Sequence, residues 1–87
     1  MTYYVYLIIS KIKKKTISYV GYTKDLNKRL ILHNNGKGAK FTRGRKWKII
    51  YKLKCASKSE AIKSEILLKK NRTLRNKIKF EYLDKYK

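Results

Sequence analysis

Eighty-seven residues allow one domain with a single small core, so residues 1–87 are expected to hold no second module. Hydrophobic residues make up 43% of the chain, eight tyrosines and two phenylalanines among them, which excludes a disordered basic tail. Twenty-five lysines and arginines against five acids give a formal charge of +20, and such self-repulsion makes a polyanion, above all nucleic acid, the expected partner. A ribosome-associated or membrane-surface protein is the plainer alternative.

The opening "TYYVYLIIS" is aromatic and β-branched throughout, as expected of a strand buried on both faces. "KIKKK" reads as a basic turn and "TISYVGY" as the second strand of a hairpin. A loop centred near Ile12 and Lys13 sets Tyr6 opposite Tyr19, on one sheet face. Thr23 is the expected N-cap of a helix over about residues 24–34, with Asp25 complementing its positive end. "NNGKGAKFTRGRK" is a loop with three glycines and five lysines and arginines. Its Lys37, Lys40, Arg43 and Arg45, beside Phe41 and Trp47, suit nucleic-acid contact, with a solvated basic loop as the alternative. "WKIIYKLKCA" reads as a third strand.

Ser57 and Glu60 form a capping box that opens a helix running to about residue 70. "NRTLRNKIKFEYLDKYK" reads as a last helix starting near Thr73, Arg75 or Asn76. The order is β-β-α-β-α-α, an α+β domain with a small three-stranded sheet, mixed or antiparallel, flanked by helices. Cys55 is the only cysteine, which excludes an internal disulfide and a cysteine-based zinc finger, and a buried thiol is expected. No run approaches the ~20 apolar residues of a membrane span. The start lacks the basic region and cleavage site of a signal peptide. A cytoplasmic protein with no membrane partner is therefore expected, nucleoid-associated if the source is bacterial.

Two helix positions break the amphipathic pattern. With Ala61 at zero on the second helix, Leu68 falls at about −20°, Glu65 at about 40° and Ile62 at about 100°. Glu65 thus points toward the core, where a carboxylate costs several kcal/mol unless a cation or hydrogen bonds satisfy it. Periodicity alone favours a buried salt bridge over a metal ligand, with Lys69 and Arg72 near the same face. On the first helix, with Asp25 at zero, Arg29 falls at about 40° and His33 at about 80°, beside Leu26 and Leu30. A histidine there is commonly structural. An arginine is less easily dismissed, because its fixed fork of donors suits a phosphate.

Tyr4-Val5-Tyr6, then Tyr19-Val20-Gly21, then Arg29 and His33, then Glu65, taken in this order, resemble the GIY-YIG nuclease domain. Tyr4 stands where the first motif carries glycine, and Val20 where the second carries isoleucine. "HNNGKGAKFTRGR" with "SEAIKSEILLKK" looks like the small stand-alone bacterial branch, itself similar to the nuclease subunit of eukaryotic structure-specific resolvases. The resemblance implies that Glu65 binds one divalent cation, Mg²⁺ or Mn²⁺, and that Arg29 stabilises the pentavalent phosphate. It implies that Tyr19 positions or deprotonates the attacking water, assisted by Tyr6 and His33, and leaves open which of the three takes the proton. The expected function is a one-metal endonuclease hydrolysing phosphodiester bonds in DNA, RNA being open as well, with a place in DNA repair. Low sequence specificity, selectivity for branched or single-stranded DNA, Lys69 as a further nucleic-acid contact and no obligate protein partner complete the expectation. A non-catalytic nucleic-acid-binding module that keeps the fold is the rival.

Overall fold

In the computed structural model, which describes residues 2–85, the continuous apolar run becomes the central strand. β1 (Tyr3–Ile12) lies between β2 (Lys15–Thr23) and β3 (Lys48–Cys55) in an antiparallel sheet of order β2-β1-β3. Residues 5–10 are buried throughout, as a strand flanked on both edges and covered on both faces requires. The expected fold class and element order are both found.

The hairpin register differs from the expected one. Ile12 pairs with Lys15, so the two-residue turn is Lys13-Lys14, and Tyr6 pairs with Gly21 while Tyr19 pairs with Ile8. The shift is by two residues, which preserves the side-chain alternation, so Tyr6 and Tyr19 still share a face. A bulge in the β1–β3 pairing falls between Leu7 and Ile8.

Alternation along β1 builds two cores. Val5 and Leu7 meet Val20, Cys55, Ala61 and Leu68 on one face, under α2 (Lys58–Lys70), with Ile78 of α3 (Arg72–Lys85) packed against them. Tyr6 and Ile8 meet Trp47 on the other face, joined by Leu26 and Leu30 of α1 (Leu26–Asn34) and by Tyr19. Cys55 is buried, as expected. No helix among the described residues is long and apolar enough to cross a membrane.

The helix ends fix what faces the site. Asp25, not Thr23, caps α1: its Oδ1 accepts from Lys28 N at 3.0 Å, while Thr23 Oγ1 accepts from Asp25 N at 3.2 Å in the turn before it. A carboxylate serves better than a hydroxyl here, since it accepts a backbone bond and meets the positive helix end together. At the other end Lys37 N bonds Leu32 O and Gly36 N bonds His33 O, with Gly36 at φ +76°, a Schellman closure that turns the following loop back over the helix. Ser57 caps α2 through Glu60 N at 3.2 Å, and Glu60 Oε2 accepts from Ala56 N rather than from the cap residue. α3 begins at Arg72, earlier than expected, because Asn71 Oδ1 accepts from Leu74 N at 3.0 Å.

Candidate active site

The pairing of Tyr6 with Gly21 decides the geometry. A Cβ at position 21 would collide with the Tyr6 hydroxyl, so the phenol lies across the glycine of edge strand β2. There it meets groups from three other elements. His33 Nε2, on α1, is 2.8 Å from the Tyr6 hydroxyl. Arg29, one turn earlier, lines one small cavity with Tyr6 and His33, and its charge, with those of Tyr19 and Glu65, acts on the Tyr6 hydroxyl. Glu65 comes from α2, whose Ala61 and Leu68 cover the opposite face and which also packs against β2.

His33 is fully buried and bonded at both ring nitrogens. Its Nδ1 lies 2.9 Å from Thr42 Oγ1, and that hydroxyl donates its proton to Ala39 O at 3.0 Å. Thr42 must then accept from His33, which places the imidazole proton on Nδ1 and leaves Nε2 to accept from the Tyr6 hydroxyl. The chain runs Tyr6 O–H to His33, His33 N–H to Thr42, Thr42 O–H to Ala39, with each proton used once. The loop is held in turn by Trp47 Nε1, which donates to Thr42 O at 2.9 Å, and by Asn34 Oδ1, which accepts from Trp47 N at 2.6 Å. Gly38 is needed for the same close approach, since a Cβ there would strike the His33 ring.

Burial pushes the Tyr6 phenol above the ordinary tyrosine value, and the Arg29 guanidinium works against that rise. Burial, helped by the Arg29 charge, holds the His33 imidazole below the ordinary histidine value. His33 is therefore a neutral acceptor at pH 7, and Tyr6 keeps its proton. Arg29 Nε is buried with no protein acceptor, so this donor is not tied to another residue of the fold. The Glu65 carboxylate lies 3.1 Å from Lys69 Nζ, the glutamate side chain 15% exposed and the lysine 51%. Glu65 thus pairs with a lysine as weighed, but in a partly exposed contact one turn along the same helix rather than in a buried salt bridge.

Of the five residues of the family pattern, Tyr6, Tyr19, Arg29 and His33 pack together beside β2, and Glu65 of α2 is near enough for its charge to act on the Tyr6 hydroxyl. The loop cations do not form one group with them. Lys37, Lys40 and Arg43 are exposed. Arg45 Nη1 donates to Phe41 O at 3.1 Å, and its guanidinium sits over the Phe41 ring. Phe41 is 52% exposed and stacks on Tyr19 at 6.0 Å, whereas Trp47, read beside it as a surface aromatic, is 2% exposed. The indole is the larger apolar body and fills the core, and the phenyl ring is left outside. Arg72 is the first residue of α3 rather than a neighbour of Lys69 on one helix. Thr42 and Gly38 were not among the expected site residues. Both lie in a loop without periodicity, and the one sequence cue is a small uncharged residue, Thr42, between Phe41 and Arg43.

The sequence profile of the GIY-YIG catalytic domain matches residues 2–79. A UPF0213 protein of Streptococcus pneumoniae serotype 4 is 53% identical over 55 residues, which span 62% of this chain and 56% of that protein. A UPF0213 protein of Staphylococcus saprophyticus is 45% identical over 65 residues, 74% of this chain and 78% of its own length. The solution NMR structure of a UPF0213 protein from Bacillus halodurans is 37% identical, covers 95% of this chain and 85% of that one, and superposes with a TM-score of 0.47. With the domain profile running from Thr2 to Lys79, this chain belongs to the GIY-YIG catalytic domain family, a family of nucleases.

Proposed function

We propose that the protein is a divalent-metal-dependent endonuclease that hydrolyses phosphodiester bonds in DNA, with low sequence specificity and a preference set by branched or single-stranded structure. The observation that carries this reading is the Tyr6–His33 hydrogen bond with Arg29 lining the same cavity and Tyr19 packed on the imidazole, all near enough to Glu65 for its charge to act on the Tyr6 hydroxyl.

The residues present fit a single cation. Among the described residues no three histidines, cysteines or acids cluster as a ligand set, so Glu65 would be the one protein carboxylate to hold a cation there, in place of its contact with Lys69, and water and phosphate oxygens would supply the rest. That is the habit of Mg²⁺, and Mn²⁺ accepts the same oxygen donors. When bound, the cation polarises a phosphoryl oxygen and offsets the charge that develops there.

The chain's own groups do the rest. Arg29 donates to the phosphoryl oxygens, where its charge counts most as the phosphorus becomes pentavalent. Tyr6 is too buried to ionise at neutral pH, so it acts as a relay. Its oxygen takes a proton from the attacking water while its own proton passes to His33 Nε2; the water oxygen bonds to phosphorus as the ester P–O bond opposite breaks, and the leaving oxygen takes a proton from solvent. Thr42 keeps the imidazole in the tautomer that can receive it. A phosphate seated on Arg29 adds negative charge beside His33 and favours the imidazolium that forms. Tyr19, packed edge-on against His33 at 5.2 Å, orients the water on the exposed side.

The test compares wild type, Glu65→Ala, Arg29→Ala and His33→Gln on labelled plasmid, single-stranded and branched DNA, with Mg²⁺, Mn²⁺ or EDTA. Cutting is expected to need the metal and to fall by about 10²–10³ in the arginine and glutamate variants. Undiminished cutting by Glu65→Ala sinks the metal-ligand role. Tight binding without cutting in wild type points to the non-catalytic module.

A further inference from the structure

We propose that the tip of the β1–β2 hairpin, Lys13, Lys14 and Lys15, acts with Arg45 as a second grip on the phosphodiester backbone, several nucleotides from the cleft. The inference rests on the reading that the site acts on nucleic acid, and it says where the flanking strand runs.

Three observations meet at the tip. A groove of about 560 Å³ is lined by Lys13, Lys14, Lys15, Ile17 and Arg45, so cations from two segments far apart in sequence face one space. The chain offers them no nearby sequence partner, since no acid occurs before Asp25 or between Asp25 and Glu60. Like charges gathered in this way repel until an anion enters. Lys13 also adopts φ +54° at the first position of the two-residue turn, where glycine or asparagine is usual and a lysine is held at conformational cost. Neither solubility nor turn geometry calls for a lysine there.

The patch is continuous with the cleft. The Arg45 guanidinium lies 5.4 Å from the Phe41 ring centroid, Phe41 stacks on Tyr19, and Tyr19 packs on His33. A second groove, of about 420 Å³, runs past Ser18, Tyr19 and Phe41 to Lys69 and Arg75. Cations thus line a groove at the tip, from the hairpin and the loop, and a second groove at the Tyr19–Phe41 pair, from α2 and α3. At about 3.3 Å per strand residue, Lys15 lies roughly 13 Å from Tyr19 and roughly 20 Å from Gly21. At about 3.4 Å per nucleotide of a duplex strand, the tip falls roughly four to six nucleotides from the scissile phosphate.

Binding in EDTA tests this without any need for cutting. Fluorescent DNA of 24 base pairs and of 4 nucleotides is titrated from 50 to 300 mM chloride with three proteins. These are wild type, the triple variant Lys13→Gln, Lys14→Gln, Lys15→Gln, and the triple variant with arginine at the same positions. The glutamine triple should lower the slope of log K against log salt on the long DNA by about 2–3, at ~0.9 per lost contact. The arginine triple should keep the wild-type slope, and the 4-nucleotide strand should not separate the proteins. Lys13→Gly relaxes the turn and removes one charge, so its slope should fall by about 0.9 and serves if a triple does not fold. Equal slopes in all proteins on the long DNA overturn the grip and leave the cleft reading intact. Equal losses in the glutamine and arginine triples also overturn it, because the tip would then act through the fold. If wild type binds no DNA but binds phosphatidylglycerol vesicles through these lysines, the nucleic-acid reading fails as well.

Discussion

The Tyr6–His33–Thr42 chain makes the state of one imidazole depend on a loop hydroxyl. Thr42→Val keeps the volume and removes the acceptor, leaving a buried Nδ1–H unpaired at a cost of about 1–3 kcal/mol. For a domain of this size that lowers Tm by about 4–8 °C per kcal/mol. The more telling readout is the ¹⁵N spectrum of His33, in which wild type and Thr42→Ser should show the Nδ1–H tautomer and Thr42→Val should lose it. A wild-type Nε2–H form would refute the relay. The same ring sets an acid limit. Its folded value lies below the unfolded value of about 6.5, so in acid the unfolded chain binds the extra proton and stability falls with it. Tm should drop as pH falls through 6.5 toward the lower folded value, and His33→Gln should flatten that slope. The inward phase of Arg29, His33 and Glu65 was legible because helical spacing is local, and motif order joined them to Tyr6 and Tyr19. Thr42 and Gly38 were not legible, since nothing nearby in sequence says that the loop folds back onto the ring.

Strands and helices showed themselves through their apolar patterns, while their ends depended on which side chain wins a backbone N–H. Thr23 and Asp25 both suit a cap, and the carboxylate prevails because it also meets the helix dipole. The hairpin turn came out displaced for a different reason. A run of lysines carries no glycine or asparagine to mark it, so the register rested on symmetry alone. Asn71 is the clearest joint between elements. Its N–H closes α2 on Leu67 O and Leu68 O, and its side chain opens α3 on Leu74 N. Arg75 Nη1 donates across the same joint to Leu68 O at 2.8 Å. Asn71→Ala should cost about 0.5–2 kcal/mol in chemical unfolding. Asn71→Asp keeps the acceptor and should recover most of it. Equal losses in both would mean that the cap contributes little to joining the helices.

Charge acts on the molecule as a whole. With +20 on 87 residues and acids confined to five positions, folding gathers cations that the extended chain keeps apart. The grouping is most evident along β2, where Lys13, Lys14, Lys15 and Arg45 share one groove and Lys69 and Arg75 line the next. Two kinds of counter-charge relieve this repulsion, and they are separable. Chloride screens without binding, shortening the Debye length from about 10 Å at 0.1 M to about 3 Å at 1 M, so Tm should climb steadily across that range. A 24-base-pair DNA in EDTA should raise Tm at low salt by a different route. At about 100 times its Kd it adds about 2.7 kcal/mol, or roughly 10–20 °C here, and that gain should fade as chloride rises. The two effects should therefore cross. Tm of the free protein rises with salt, that of the complex falls, and they meet where DNA no longer binds. A free protein whose Tm is indifferent to chloride would mean that self-repulsion is not what limits this fold, and that its lysines are spaced widely enough to be solvated one by one.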